Sequence, residues 1–103
     1  MSNNILEQQI MNLIVNAGCC RSLLIQAISA AKKKDFSLSN EYMLQAENIL
    51  KKAHQIQTEL ISCDQGEGKI LVTIIMVHAQ DHIMNAVLLM DIAKEIIYLH
   101  QQK

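Results

Sequence analysis

Proline and tryptophan are absent from this chain of 103 residues, and two tyrosines and one phenylalanine supply its only aromatic side chains. Leucine, isoleucine, methionine, alanine, glutamine, glutamate and lysine take their place, which is the composition of helices rather than of sheets. An all-α protein is expected. Charge of one sign is also missing: nine Lys plus Arg stand against ten Asp plus Glu, for a net charge of -1. That balance leaves no electrostatic footprint for nucleic acid or for an anionic membrane surface. The longest apolar stretches, such as Ile70 to Val77, fall short of the roughly 20 residues of a membrane span, so no direct membrane insertion is expected. The three cysteines are an odd number, Cys19 and Cys20 are adjacent and poorly placed to bridge each other, and no signal-peptide pattern precedes them. A reducing compartment, the cytoplasm, is expected. No break in composition divides residues 1–103, which read as a single domain long enough to bury a core without staples.

What is present is helical periodicity. From about Asn4 to Lys34, Leu6, Ile10, Leu13, Ile14, Ala17, Cys20, Leu24, Ile28 and Ala31 recur at steps of three and four, the mark of one amphipathic helix. Gly18 interrupts it at a cost of about 1 kcal/mol relative to alanine, so close packing or a local kink is expected there. Lys32, Lys33 and Lys34 suit the negative end of that helix as a solvated cap. Asp35, with Ser39 as its rival, is placed to cap a second helix, marked by Phe36, Met43, Ala46, Leu50, Ala53, Ile56 and Leu60 and running to about Ser62. The short connection predicts an antiparallel pair. "CDQGEGK", Cys63 to Lys69, is rich in glycine and charge and reads as the second connection, with neither the length nor the sequence of a phosphate-binding loop.

A third helix is predicted from Ile70 to about Gln101. Around Leu71 to Val77 and Ala86 to Met90 it is apolar on nearly every side, more than a three-helix protomer can cover, which predicts an oligomer. Val72, Ile74 and Ile75 also suit a buried strand, but nothing else in the chain offers to pair with it.

Within that helix, "TIIMVHAQDHIMNAVLLM", Thr73 to Met90, places two histidines and an aspartate in an otherwise apolar run. At about 100° per residue, Asp81 lies some 60° to one side of His78 and His82 some 40° to the other, so the three share a face. Gln80 falls about 160° from His78, and if it assists His78 it must do so from another chain. Three chemistries fit: a core polar network, a metal site, and a histidine nucleophile whose neutral imidazole attacks a phosphoryl group. For zinc, "HAQDH" lacks the glutamate of H-E-x-x-H, neither His54 nor His100 is an obvious further ligand, and no C-x-x-C pair exists. Ser22 has no histidine near it in sequence to activate it. A nucleophilic His78 would have His82 one turn along as a donor to the resulting anion.

"VHAQDHIMNA" from Val77 to Ala86, with "AHQIQTELI" from Ala53 to Ile61 and "NAGCCRSLLIQAI" from Asn16 to Ile28, resembles the IIA components of the lactose/cellobiose (chitobiose) class in the bacterial phosphoenolpyruvate-dependent sugar phosphotransferase system. The resemblance covers nearly the whole chain. It implies an antiparallel three-helix protomer assembled as a homotrimer, carrying a phosphoryl group from the phosphocarrier HPr to a sugar-specific IIB component. It implies His78 as phosphoryl acceptor, Gln80 and His82 around the phosphohistidine, and Asp81 near the threefold axis, where one Mg²⁺ per trimer is held. Two positions depart from the family pattern: Cys20 stands where alanine is usual, and Lys34 where glycine often precedes "DF", so the first turn is expected to differ. Cys19 and Cys20 read as small core or interface residues. The rival reading is a non-enzymatic helical adaptor or metal-binding bundle with "HAQDH" as a buried network.

Overall fold

Each helix of the protein begins at a side chain that stands in for a missing carbonyl. In the computed structural model, which describes residues 1–102, α1 spans Asn3–Lys32, α2 Phe36–Asp64 and α3 Ile74–Gln101, with no strand among the described residues. Lys103, the last residue of the predicted domain, lies outside them. The Ser2, Asp35 and Thr73 side chains accept from the backbone N–H groups of Ile5, Leu38 and Met76, each at 3.2 Å. Asp35 is therefore the cap of α2 and Ser39 is not. Ser39 is buried, and its hydroxyl donates to the Ala27 carbonyl of α1 at 2.8 Å, which ties the two helices together and satisfies a polar group that would otherwise be costly.

The turn between α1 and α2 departs from expectation in a specific way. The Asp35 N–H bonds the Ala30 carbonyl and the Lys34 N–H bonds that of Ala31, the pattern that closes a helix on a left-handed residue. That residue is Lys34, at φ 64°, where glycine would be free of strain. Its ammonium donates to the His100 carbonyl at 2.7 Å, so the side chain that strains the turn also satisfies the C-terminal end of α3. Lys34 is thus more than a solvated cap.

The third helix starts at Ile74, later than the expected Ile70. The Asp64 carboxylate accepts from the backbone of Gly68 at 3.3 Å and of Ile70 at 2.9 Å, which holds the "CDQGEGK" loop across Gly66 and Gly68, both at positive φ. Leu71 and Val72 lie exposed ahead of the Thr73 cap. The β-branched run is neither a strand nor, before Thr73, a helix.

The helices run up, down and up. Gln9 of α1 bonds Glu59 near the end of α2, whereas Lys34 after α1 meets the end of α3. Helix α1 packs along both others, and α2 and α3 meet along a thinner seam. The bundle measures 52 × 20 × 20 Å. Its core is a narrow seam from each helix: Leu13, Ala17, Cys20, Leu24 and Ala27 of α1, Met43, Ala46, Ala53 and Leu60 of α2, and Met76, Ala79, Ile83, Ala86, Met90 and Ala93 of α3. By length and composition alone α1 is long and apolar enough to cross a membrane. Its apolar face is instead the center of this core, where a core helix of a globular protein passes the same test.

On α3 the buried positions alternate at steps of three and four, a stripe only wide enough for one coiled-coil-like contact. The rest of its apolar circumference faces outward. Ile74, Val77, Met84, Leu88, Ile92 and Leu99 are between 44% and 91% exposed, and at 100° per residue all six fall within about 60° of the direction of Asp81. Asp81 therefore sits in the middle of an exposed, mostly apolar stripe that also carries Asn85 and Glu95.

Candidate functional site

Helical geometry decides where the motif residues go. His78 and His82 lie one turn apart on the flank of α3 beside α1, with His78 exposed and His82 half-buried. Their Nε2 atoms are 3.0 Å apart, with ring centroids at 4.3 Å and planes at 89°. A hydrogen bond between two imidazole nitrogens needs a proton on one and a lone pair on the other. One ring must therefore present an unprotonated Nε2, the form in which an imidazole is a nucleophile.

Asp81 is exposed within the outward stripe, and its carboxylate accepts from the Asn85 amide at 3.4 Å. A buried His/Asp network inside the protomer, as the adaptor reading requires, is not what this arrangement provides. His82, Asp81 and Asn85 border one depression of about 380 Å³ together with Arg21 and Leu89. A second, of about 340 Å³, lies between His82 and Gly18, Arg21, Ser22, Ile25 and Gln26 of α1.

Gln80 points to the opposite flank, toward α2. Its Oε1 accepts from Gln57 Nε2 at 2.8 Å. The Gln57 amide nitrogen also lies 3.7 Å from Met84 Sδ, and that of Gln80 3.9 Å from Met76 Sδ. Thioether sulfur accepts and cannot donate, so each sulfur favours the NH₂ end of the amide beside it. Both contacts agree with Gln80 offering its oxygen to Gln57 and keeping its NH₂ for an acceptor. Gln57 was not singled out by the sequence, although a signal exists: it continues the inward series of Met43 and Leu50 as the one polar member.

The other candidates stay apart from this site. His54 is exposed in a groove between α2 and α3, and His100 lies at the end of α3. Cys20 is fully buried, and desolvation, with the neighbouring Cys19 as second cause, pushes its thiol up to about 11. Cys19 is exposed rather than part of the core. Among the described residues no group of three or more His, Cys, Asp or Glu side chains could hold a metal ion. The Asp81 carboxylate is the hard oxygen donor that Mg²⁺ prefers, but one such ligand per chain suffices only if several chains converge.

Three capped helices with a histidine pair on the third are matched as a whole. The family model for lactose/cellobiose-specific IIA subunits of the phosphotransferase system matches residues 8–101. The chain belongs to this family. It is 43% identical over 97 residues to the N,N'-diacetylchitobiose-specific EIIA component of Escherichia coli, covering 94% of this chain and 84% of that one. To the lichenan-specific phosphotransferase enzyme IIA component of Bacillus subtilis it is 43% identical over 100 residues, covering 97% and 91%. Among solved structures, the E. coli IIA(chitobiose)–HPr complex superposes with a TM-score of 0.81 at 43% identity, covering 93% of each chain. This IIA protein thus has the fold and the phosphotransferase class that the family resemblance implied, and the adaptor reading is not favoured.

Proposed function

We propose that this IIA component accepts a phosphoryl group from HPr on Nε2 of His78 and passes it to a sugar-specific IIB component during uptake of a β-linked disaccharide, in the cytoplasm. The observation that carries the reading is the 3.0 Å contact between the two Nε2 atoms. When His82 supplies the proton, His78 Nε2 holds the lone pair that attacks phosphorus. The N–P bond forms as the donor's bond to phosphorus breaks and its electron pair leaves with the donor. His82 N–H then turns to a phosphoryl oxygen, a charge-assisted bond stronger than the one it replaces. HPr as partner is supported by the complex formed with HPr by the chitobiose relative.

The carrier acts as a homotrimer in this reading. Covering a large apolar side chain contributes about 1.5–3 kcal/mol, and the α3 stripe leaves six such residues uncovered. Closed rotational symmetry sets one flank of a chain against the other flank of the next. That placement sets Gln80 and its NH₂ toward the His78 of a neighbour, the one way in which residues on opposite flanks can share a substrate. Asp81, in the middle of the stripe, comes to the threefold axis, and three carboxylates that close need neutralising. One Mg²⁺ per trimer bound by the Asp81 oxygens would supply that charge and serve assembly rather than transfer.

Replacing the acceptor tests the reading. His78→Ala should keep its helical content and take no label from phosphorylated HPr, while His82→Ala should label more slowly. Full labelling of His78→Ala would remove the assignment.

A further inference from the structure

Gly18 is the unexplained residue of α1. A mid-helix glycine is expected to allow a close approach, yet a Cβ added there would meet nothing within 4 Å. What the missing side chain does is widen the depression that Gly18, Arg21, Ser22, Ile25 and Gln26 form against His82. Arg21 also borders the adjoining depression with His82, Asp81 and Asn85. It is the one Lys or Arg side chain lining either, and it is exposed. The ion pairs present among the described residues are Lys69 with Glu67 and Lys94 with Glu47, so Arg21 holds no carboxylate partner there.

A phosphoryl group on His78 brings close to two negative charges and three acceptor oxygens to this place, and His82 offers one N–H. A guanidinium presents five donors in a planar fork that fits phosphate oxygens two at a time. The Ser22 hydroxyl accepts from the Gln26 amide at 3.3 Å, which leaves its own proton free to donate. We propose that Arg21 is a phosphoryl-contacting residue of this carrier, pairing with the group on His78 Nε2 in the space that Gly18 keeps open beside His82. The proposal rests on His78 being the acceptor. Arg21 takes no part in bond making: its guanidinium keeps all its protons and offsets the charge carried by phosphorus oxygens during and after transfer. Solvent exposure keeps the pairing moderate, as a relay that must release its cargo requires.

The test uses the intact chain and phosphorylated HPr. Arg21→Gln should lower kcat for phosphoryl transfer by about tenfold or more, the effect of losing a hydrogen bond to a charged group, and Arg21→Lys should recover part of the loss. In the isolated phosphorylated protein, ³¹P resonances followed across pH should show the phosphoryl group of Arg21→Gln titrating at higher pH than wild type, because a cation that favoured the dianion is gone. Gly18→Leu, which fills the depression without meeting another atom at Cβ, should slow transfer while melting no lower than wild type. A rise in KM alone, with kcat and the ³¹P titration unchanged, would overturn the proposal by making Arg21 a docking residue. Wild-type transfer by Gly18→Leu would overturn the assigned location. Labelling of His78→Ala at the normal rate would instead remove the underlying assignment, whatever Arg21 does.

Discussion

On one flank of α3, His78 and His82 face each other across 3.0 Å beside α1, while on the other Gln80 is held at 2.8 Å by Gln57 of α2. The two arrangements come from a single run of five residues, yet the exposed stripe centred on Asp81 separates them. The histidine flank is open, with an exposed His78 and with His82 bordering the space beside Gly18. The glutamine flank is half-buried and locked by an amide pair between two thioethers. The difference teaches a division of labour. In the proposed function the open flank receives the phosphoryl group, and the locked flank presents a donor whose orientation is fixed before any neighbour arrives. A protomer holds both halves and joins neither.

The largest effect should come from keeping the flanks of different chains apart. Leu88 is 58% exposed on the stripe, whereas its neighbour Val87 is half-buried against the protomer's own core. In the proposed trimer a charge at Leu88 would meet only the seam between chains, and an uncompensated buried charge costs about 3–5 kcal/mol. Leu88→Asp should therefore sediment as a helical monomer at micromolar concentration and lose most of its rate of labelling by HPr. A Leu88→Asp protein that stays trimeric with wild-type stability would show that the stripe is not the seam.

A smaller effect of opposite sign is expected at the center of the stripe. In the proposed trimer Asp81→Leu would remove the carboxylate repulsion and the need for a cation while leaving the histidine pair in place, so it should melt higher than wild type and ignore chelator. Wild type should melt lower when chelator is added. An Asp81→Leu protein less stable than wild type, beside a wild type indifferent to chelator, would take Asp81 away from the axis.

The smallest effect sharpens the comparison by reporting on the protomer alone. Cys20 is fully buried in the core of a single chain, and its thiol is held at about 11 against an ordinary 9.0. The unfolded chain ionises this thiol first, so its contribution to stability is complete below about pH 9 and is lost as pH rises toward about 11, roughly 2–3 kcal/mol over that span. Urea unfolding of wild type against Cys20→Ala should show the alkaline decline reduced in the variant. Parallel declines would mean that burial does not hold the Cys20 proton.

Much of this was legible in the sequence because the signals were local. Steps of three and four marked all three helices, Asp35 read as a cap from its position alone, and 100° per residue placed His78, Asp81 and His82 together and sent Gln80 away. The start of α3 was misplaced because apolar periodicity cannot see that Asp64 claims the Ile70 N–H. Ser39 resembled a cap because its hydroxyl is equally suited to the Ala27 carbonyl of another helix, a contact that exists only after packing. Gln57 and Arg21 escaped for the same reason: each takes its place from α3, which is distant in the chain.

The central claim is that each site is built from the histidine flank of one chain and the glutamine flank of the next. Mixing two damaged chains tests it directly. His78→Ala lacks an acceptor, and Gln80→Leu retains His78 but should label slowly as a pure trimer. Unfolded together and refolded, they should form mixed trimers in which the His78 of a Gln80→Leu chain faces the intact Gln80 of a His78→Ala neighbour. The account predicts that label enters the Gln80→Leu chains of the mixture faster than the pure Gln80→Leu protein. A mixture in which those chains label no faster than they do alone would contradict it.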